Sequence, residues 1–188
     1  GPHLPLGVDF FGAGTLVEMS AEKLIGQEVP VVVAPVLPYG LADAAMPFAG
    51  TVTLRAETVK AVIMDIAESF ERHGFKGMVI VFQHLERAHL KALEEVSSEK
   101  TRMGMPVLTV NPFNRNFAQM QALMKGEFPE LDRHAGEWET AFCLWKCPGL
   151  VKKKLLRDLS PNWAKLREKL YKEGCKDFVE AGGHLCYF

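Results

Sequence analysis

The sequence predicts an α/β fold, in which a central, mostly parallel sheet lies between two layers of helices. Three apolar runs have the length and composition of buried strands, at residues 29–37, 78–82 and 107–110. Amphipathic stretches of helical periodicity separate them. Strands that alternate with helices favour a parallel sheet, because parallel neighbours need a crossover connection. We therefore expect a three-layer α/β/α domain.

Glycines and prolines divide the first two thirds of the chain into these elements. Residues 9–15 are rich in glycine and phenylalanine and predict a loop, and residues 20–26 predict a short helix. The apolar run 29–37 follows and ends at a Pro-Tyr-Gly turn. Apolar side chains then recur at helical spacing over 59–70, before a glycine that ends the helix. A further helix is predicted over 86–96.

The last third of the chain predicts mainly helices. A short helix is expected over 117–124, a stronger one begins near His134, and another covers 161–171, while residues 177–179 enter a strand. No internal repeat, low-complexity segment or linker interrupts the pattern. We therefore expect residues 1–188 to form a single domain.

The composition excludes several classes of function. The chain has 48% hydrophobic and 24% charged residues and a formal net charge of -1, which is typical of a globular protein. This balance gives no electrostatic reason to expect a nucleic acid or an anionic membrane as partner. No apolar run approaches the ~20 residues of a membrane-spanning helix.

The four cysteines form no C-x-x-C pair. Cys143 and Cys147 would share one face of a helix, so a zinc site there is one interpretation. No histidine or second cysteine pair lies close enough in sequence to complete such a site. Buried, reduced thiols are therefore the favoured interpretation, and they are typical of a cytoplasmic protein.

A histidine and a glutamate follow the second predicted strand directly. Ligands bind in open α/β sheets at the carboxyl ends of the strands, and His84 and Glu86 lie at such an end. Both side chains can turn toward one centre, where imidazole and carboxylate suit zinc or manganese. The alternative is an ordinary surface loop, in which such residue pairs are common.

A second polar cluster opens the helix predicted near residue 134. His134, Glu137 and Glu139 stand close together in the sequence at the expected helix N-terminus. The helix dipole would lower the proton affinity of the histidine there and favour a neutral base. The alternative is a capping histidine followed by two solvated glutamates. His73 is interpreted as a helix-end residue and His89 as a surface residue.

Residues 1–9, GPHLPLGVD, carry a resemblance to a known family. They resemble the signature E-x-H-G-P-H-L-P-L-G-T-D of the creatininase family of metal-dependent amidohydrolases, with Val8 in place of the threonine. The resemblance implies that Asp9 bridges two metal ions and that His3 has a supporting or substrate-side role. A histidine packed within the loop is the alternative for His3.

A second segment resembles the family at the end of the second predicted strand. Residues 82–87, FQHLER, match the His-x-Glu form of a motif that has the sequence N-G-H-G-G-N in most members. The match implies that His84 and Glu86 each ligate a metal. Phe82 and Gln83 stand where most members have asparagine and glycine, so the conformation of this loop is open.

A third segment, HAGEWET at residues 134–140, resembles the family's H-A-G-x-x-E-T. The resemblance implies that His134 acts on the substrate and that Glu139 supports the metal site. Glu137, which lies between them, is placed on the substrate side or in a supporting position.

One segment departs from the family pattern. Residues 39–51 resemble Y-G-x-S-x-E-H-x-x-F-P-G-T, and Tyr39 is retained as a substrate-side or supporting residue. Alanine replaces the serine, the glutamate and the histidine of the pattern, at Ala42, Ala44 and Ala45. These replacements imply a different substrate, or a weakened or lost activity.

The family pattern extends past both ends of the sequence. Its Glu and His, which hold one metal each, precede the position of Gly1, and residues 182–188 resemble the start of a G-G-x-G-Y-x-G-D-P segment. We therefore expect a creatininase-like domain that lacks the first strand and the C-terminal segment. We expect residues 1–188 alone to bind at most one metal ion weakly and to be inactive.

The resemblance implies a metal-dependent amidohydrolase that acts on a small-molecule amide. Two divalent ions, zinc or manganese, would activate a water for attack on a non-peptide C–N bond, in a cyclic amide such as creatinine or in a formamide. The family likeness also implies a homo-oligomer, a hexamer. A formamidopyrimidine deformylase and a peptide-maturation hydrolase are variants of this interpretation. The alternative of another class is a catalytically silent member that binds a ligand or serves assembly.

Overall fold

The computed structural model describes residues 1–132, 134–160, 162 and 165–184. The chain divides into two compact units. The first unit comprises Gly1–Val8, Asp43–Thr51 and Asn116–Phe188, and the second comprises Asp9–Ala42 and Val52–Arg115. Each unit is described by itself below.

The second unit contains a parallel sheet and its crossover helix. Its elements are helix α1 (Val8–Ile25, whose first residue belongs to the first unit), helix α2 (Ala56–Arg72), strand β1 (Met78–Val81), helix α3 (Arg87–Arg102) and strand β2 (Val107–Val110). The strands pair in parallel, from Met78 opposite Val107 to Val81 opposite Val110. Helix α3 connects them, as a parallel pair requires. The predicted α/β class is confirmed.

The core of the second unit lies between α2, α3 and one face of the sheet. Its buried side chains recur at helical spacing on the two helices, and Met78 and Ile80 of β1 pack against them; the cluster is formed by Leu41, Val59, Ile63, Ala92, Leu93 and Val96. Full burial stabilises each large aliphatic side chain by roughly 1.5–3 kcal/mol. Side chains alternate along a strand, so Val79 and Leu108 point away from this core and are 57% and 61% exposed.

Helix α3 is fixed to both of its neighbours by polar contacts. Lys100 is only 1% exposed, and its Nζ lies 2.6 Å from a carboxylate oxygen of Glu71 on α2. Near the end of α3, Thr101 Oγ1 accepts a hydrogen bond from the backbone N–H of Val107 at 3.0 Å. These contacts set the position of α3 relative to α2 and β2, and α3 begins immediately after the loop that carries His84.

The first unit is helical in the part that the structure describes. Helix α4 (Pro112–Leu123) carries the chain into it, and helices α5 (Glu137–Lys146), α6 (Lys153–Asp158) and α7 (Leu166–Lys172) follow. Two apolar clusters hold it together. One is formed by Leu4, Val8, Ala135, Cys143 and Val151, and the other by Ala44, Leu170, Phe178 and Ala181.

Three predicted elements are wrong. Residues 29–37 have no regular secondary structure and are largely exposed, since Pro30 and Pro35 remove backbone donors that strand pairing would need. Residues 9–15 are not a loop but the first turns of α1, with Asp9 near the positive end of the helix dipole. Residues 177–179 form a bend and a turn instead of a strand.

The other predicted helices are found with shifted ends. The helix expected over 161–171 is α7, although residues 161, 163 and 164 lie outside the described part. The helix expected to begin near His134 is α5, which begins at Glu137. Within the described ranges, no helix is both long enough and apolar enough to span a membrane.

Cys143 is a fully buried free thiol, in line with the interpretation of reduced cysteines. Burial, together with the neighbouring Cys147, raises the pKa of Cys143 to about 12, so the thiol stays protonated at neutral pH. A protonated thiol is a poor metal ligand. Cys147 and Cys175 are also free, and Cys186 lies outside the described residues.

Candidate active site

The loop after β1 brings a histidine between two carboxylates. Strand β1 ends at Val81, and His84 follows at the carboxyl end of the sheet, where α/β proteins bind ligands. Its Nδ1 lies 3.3 Å from Asp9 Oδ2 at the start of α1, and its Nε2 lies 3.8 Å from Glu86 Oε2. Three residues that the resemblance singles out as metal ligands are therefore neighbours in the second unit.

The charge around His84 strongly favours a cation. Burial lowers the pKa of His84, but the carboxylates of Asp9 and Glu86 outweigh burial and raise this pKa to about 10. The imidazole is therefore protonated at neutral pH, and it carries its positive charge between two negative groups. The same carboxylates would attract a divalent metal ion, which would take the place of the proton on the ring.

The donor set fits zinc or manganese in its chemistry. Imidazole nitrogen and carboxylate oxygen are the ligands these ions accept, and His84 Nε2 is buried without a hydrogen-bond partner. Because Asp9 and Glu86 lie at opposite edges of the ring, the donors do not converge as a closed triad. No group of three or more His, Cys, Asp or Glu side chains in the described ranges is arranged to hold an ion. The fit is that of one imidazole with a carboxylate on each side.

A second histidine belongs to this cluster, and the sequence interpretation of it as a surface residue is wrong. The ring of His89, in the first turns of α3, lies 5.5 Å from the ring of His84, centroid to centroid. His89 Nδ1 accepts a hydrogen bond from the backbone N–H of Leu41 at 3.4 Å. Burial and the positive charge of His84 lower the pKa of His89 to about 4, so this ring is neutral.

The His89 ring also explains why position 40, in the segment that resembles Y-G-x-S-x-E-H, is occupied by glycine. A Cβ atom added to Gly40 would lie 2.7 Å from the His89 ring, so only glycine leaves room for it. The preceding side chain, Tyr39, is 58% exposed. The combination of His84 with a second histidine in the first turns of the following helix is the sequence signal that could have identified His89.

Helix α1 holds the loop before His84 by a close approach. Asp9 and Gly12 are three residues apart and share one helix face. Asp9 contacts His84, while Gly12 faces the amide of the buried Gln83, and a Cβ atom on Gly12 would overlap that amide. The glycine at position 12 thus accommodates the glutamine that stands where most members of the resembled family have glycine.

Gly12→Ala is expected to destabilise the protein relative to the matched variant Gly14→Ala. Both replacements gain about 0.5–1 kcal/mol of helix stability, because glycine is unfavourable inside a helix. At Gly14 the new methyl meets only Val36 Cγ2, at 3.3 Å, whereas at Gly12 it displaces the buried amide of Gln83. We expect the free energy of unfolding of Gly12→Ala to be lower than that of Gly14→Ala by ~1–3 kcal/mol.

Chemical denaturation of the two variants measures this difference. Adding Gln83→Ala to Gly12→Ala should recover most of the loss, because the truncated side chain no longer meets the methyl. Equal stability of the two single variants would contradict the close contact between α1 and the loop.

The segment HAGEWET forms the N-terminus of α5 in the first unit. Asp132 caps the helix, since its carboxylate accepts hydrogen bonds from the backbone N–H groups of Glu137 and Trp138. Gly136 is the N-cap residue, and a Cβ atom there would overlap the Asp132 carboxylate. His134 therefore lies outside the helix, ahead of its cap, with its ring 5.1 Å from the ring of Phe178.

Both glutamates of this segment bind backbone. The Glu137 carboxylate accepts hydrogen bonds from the N–H groups of Lys125 and Gly126, at 2.9 and 2.7 Å. The Glu139 carboxylate accepts one from the N–H of Ala135, at 2.6 Å. In this structure both half-buried side chains bind backbone N–H groups and organise the chain on either side of His134.

His3 is a buried residue of the first unit. It is 1% exposed, and its Nε2 lies 2.9 Å from Thr140 Oγ1 on α5. Burial lowers the pKa of His3, which favours the neutral ring. Its carbonyl oxygen accepts a hydrogen bond from the N–H of Lys152 at 2.9 Å, so backbone and ring are both fixed.

The structure thus divides the predicted site residues between the two units. Asp9, His84 and Glu86 form one cluster in the second unit, which also holds Tyr39. The residues of the HAGEWET segment and His3 form another in the first unit. His89 and Thr140 belong to these clusters as well, although no role in a site was predicted for either of them from the sequence.

A model of the creatininase family, described as creatinine amidohydrolase, matches residues 1–185. A mutant creatininase of Zn-Zn type has 21% identity and a TM-score of 0.64, with 86% of this chain and 65% of that chain covered. A mutant creatininase complexed with creatine has 21% identity and a TM-score of 0.59, covering 82% and 64%. A tryptophan-to-phenylalanine mutant of creatininase has 24% identity and a TM-score of 0.59, with 82% of this chain and 63% of that chain covered. Among curated proteins, no sequence matches significantly.

Proposed function

The chain belongs to the creatininase family, and from this premise we propose that the whole protein is a metal-dependent amidohydrolase. The present chain spans 65% and 64% of the length of two creatininase chains that it matches. The proposed reaction is hydrolysis of a non-peptide C–N bond in a small molecule, a cyclic amide such as creatinine or a formamide. One observation carries the proposal: His84 lies between the carboxylates of Asp9 and Glu86 at the carboxyl end of β1.

We propose that Asp9, His84 and Glu86 hold divalent zinc or manganese, two ions in the whole protein. When bound, these ions would polarise the amide carbonyl and lower the pKa of a water to about 7. His84 and Glu86 are the pair best placed to share one ion, because Glu86 faces the buried Nε2. Asp9, on Nδ1, would orient the ring and raise its basicity, as carboxylates next to metal-binding histidines do, and it would offer a further oxygen ligand.

The proton steps are assigned to the first unit on the basis of the resemblance. His134 is proposed to give a proton to the leaving nitrogen, which turns a poor leaving group into a neutral amine. Glu139 ligates or orients a ligand in this proposal, while its bond to the N–H of Ala135 supports a positioning role. Tyr39 is exposed and available to the substrate, whereas His3 and Glu137 are engaged in contacts within the protein.

We also propose an assembly state and a cellular location for the whole protein. The resemblance favours a homo-oligomer, a hexamer in that family. Reduced cysteines, such as the buried Cys143, favour the cytoplasm.

A second candidate function, that of a catalytically silent family member, is supported by the environment of Ala44. This residue stands where the family pattern has glutamate, and it is buried among Leu170, Phe178 and Ala181. Its carbonyl oxygen accepts a hydrogen bond from the N–H of Phe178 at 2.9 Å. A glutamate there would place a carboxylate in an apolar cluster, which is unfavourable. A catalytically silent member that binds a ligand or serves assembly would tolerate this exchange.

Metal analysis combined with an amidase assay distinguishes the two functions. The whole protein, purified without chelator, is expected to carry about two zinc or manganese ions per chain, as two-metal hydrolysis requires. It should open cyclic amides to a single product that carries both the carboxylate and the amine, or split formamides into formate and amine. It should lose this activity on chelation and regain it when metal is returned. Absence of metal after supplementation, with no turnover, would favour the silent member.

A further inference from the structure

The residue that follows His134 has an unfavourable backbone conformation. Ala135 has a φ of 54°, in the left-handed region that residues with a Cβ atom avoid. It is buried, and it is not glycine, so the conformation persists only if its surroundings enforce it. The contacts that do so are all found within the first unit.

Both backbone polar groups of Ala135 are bound. Its N–H donates to the Glu139 carboxylate at 2.6 Å, and its carbonyl oxygen accepts from Thr140 Oγ1 at 3.3 Å. Glu139 and Thr140 are adjacent in the first turns of α5, so the helix holds Ala135 from both sides.

His3 completes this arrangement. His3 Nδ1 is buried with no hydrogen-bond partner, so a proton there would lack an acceptor and we assign the proton to Nε2. The Nε2–H group then donates to Thr140 Oγ1 at 2.9 Å, which leaves the hydroxyl proton for the carbonyl oxygen of Ala135. A buried, neutral imidazole with the proton on Nε2 therefore fixes the hydroxyl rotor that binds Ala135. The ring is itself anchored, because the carbonyl of His3 accepts the N–H of Lys152.

We propose that His3, Thr140 and Glu139 form a clamp that holds Ala135 in the left-handed conformation and thereby aims His134. His3 and Thr140 are then positioning residues for the reaction, and they need not touch the substrate. This inference rests on the proposed function in assigning a proton-transfer role to His134. The conformation of Ala135 does not depend on that assignment, so the two can be tested separately.

Thr140→Val tests the clamp, with Thr140→Ser as its matched control. Valine keeps the shape but removes the hydroxyl, which frees Ala135 to leave the left-handed region; serine keeps the hydroxyl. In the metal-loaded whole protein we expect Thr140→Val to lower kcat about tenfold or more, with KM and metal content unchanged, because a small misplacement of a reacting group is costly. Thr140→Ser should keep a wild-type kcat.

A rescue separates this role from a general structural one. Glycine adopts a positive φ without penalty, so Ala135→Gly combined with Thr140→Val should restore at least half of the lost kcat. If Thr140→Val does not fold, His3→Leu replaces it as the test, with His3→Gln, which retains a donor, as the control.

The conformation itself is read by NMR or by crystallography of the variants. We expect residue 135 to have a positive φ in the parent, in Thr140→Ser and in the combined variant, and a negative φ in Thr140→Val. A positive φ together with full kcat in Thr140→Val would overturn the clamp. If no variant or parent has activity but φ changes as expected, the clamp stands and the proposed function fails.

Discussion

His84→Ala is expected to abolish stoichiometric metal binding by the whole protein. The imidazole supplies a nitrogen donor, and its loss leaves Asp9 and Glu86 facing each other without the group between them. Two carboxylates alone form a poorer ligand set for zinc or manganese than carboxylate and imidazole together. We expect the metal content, measured by elemental analysis after gel filtration, to fall from about two ions to well below one ion per chain.

His73→Ala is the control for this experiment. His73 follows α2 as its C-cap residue and is exposed, so its loss should leave the metal content unchanged. Circular dichroism should show that both variants are folded. Unchanged metal content in His84→Ala would remove His84 from the ligand set, and it would leave the charge cluster around it as a purely structural feature.

His134→Ala is expected to keep its metal and lose turnover. If His134 gives the proton to the leaving nitrogen, its removal should lower kcat by about 10²-fold or more, the usual contribution of a general acid. The metal content should not change, since His134 is not among the proposed metal ligands Asp9, His84 and Glu86. Steady-state kinetics on the best amide substrate, with metal analysis of the same samples, checks both points.

His134→Gln refines the assignment. Glutamine can form hydrogen bonds at a similar distance, but it cannot give up a proton at neutral pH. It should therefore be as impaired as His134→Ala if proton transfer is the role. A glutamine variant with nearly normal kcat would indicate that His134 only binds the substrate, and a wild-type rate in the alanine variant would end the assignment.

The elements of the fold that have a clear local sequence pattern were predicted from the sequence. Strands β1 and β2 were predicted almost to the residue, because both combine a short apolar run with clear boundaries. Helix α2 was predicted from its apolar spacing. Residues 29–37 have the same apolar character, but they contain prolines and pair with no strand in the described part of the chain, which periodicity alone does not reveal.

The proximity of three candidate site residues was predicted from the family motifs, while their role as metal ligands stays a prediction. His84, Glu86 and Asp9 were identified as a set, and the structure places them together. His89 was missed, because its role depends on how α3 packs beside Leu41. Thr140 was part of the HAGEWET match but was given no role, because its bond to Ala135 becomes evident only in the structure.

The close approach of Gly12 to Gln83 also has an evolutionary consequence. The space between α1 and the loop before His84 admits one side chain, contributed in this protein by the loop. A homologue with glycine at the position of Gln83 has that space free for a larger residue on the helix. Positions 12 and 83 should therefore vary together, with a nearly constant summed volume, and a mutation at one of them would become tolerable only after a change at the other.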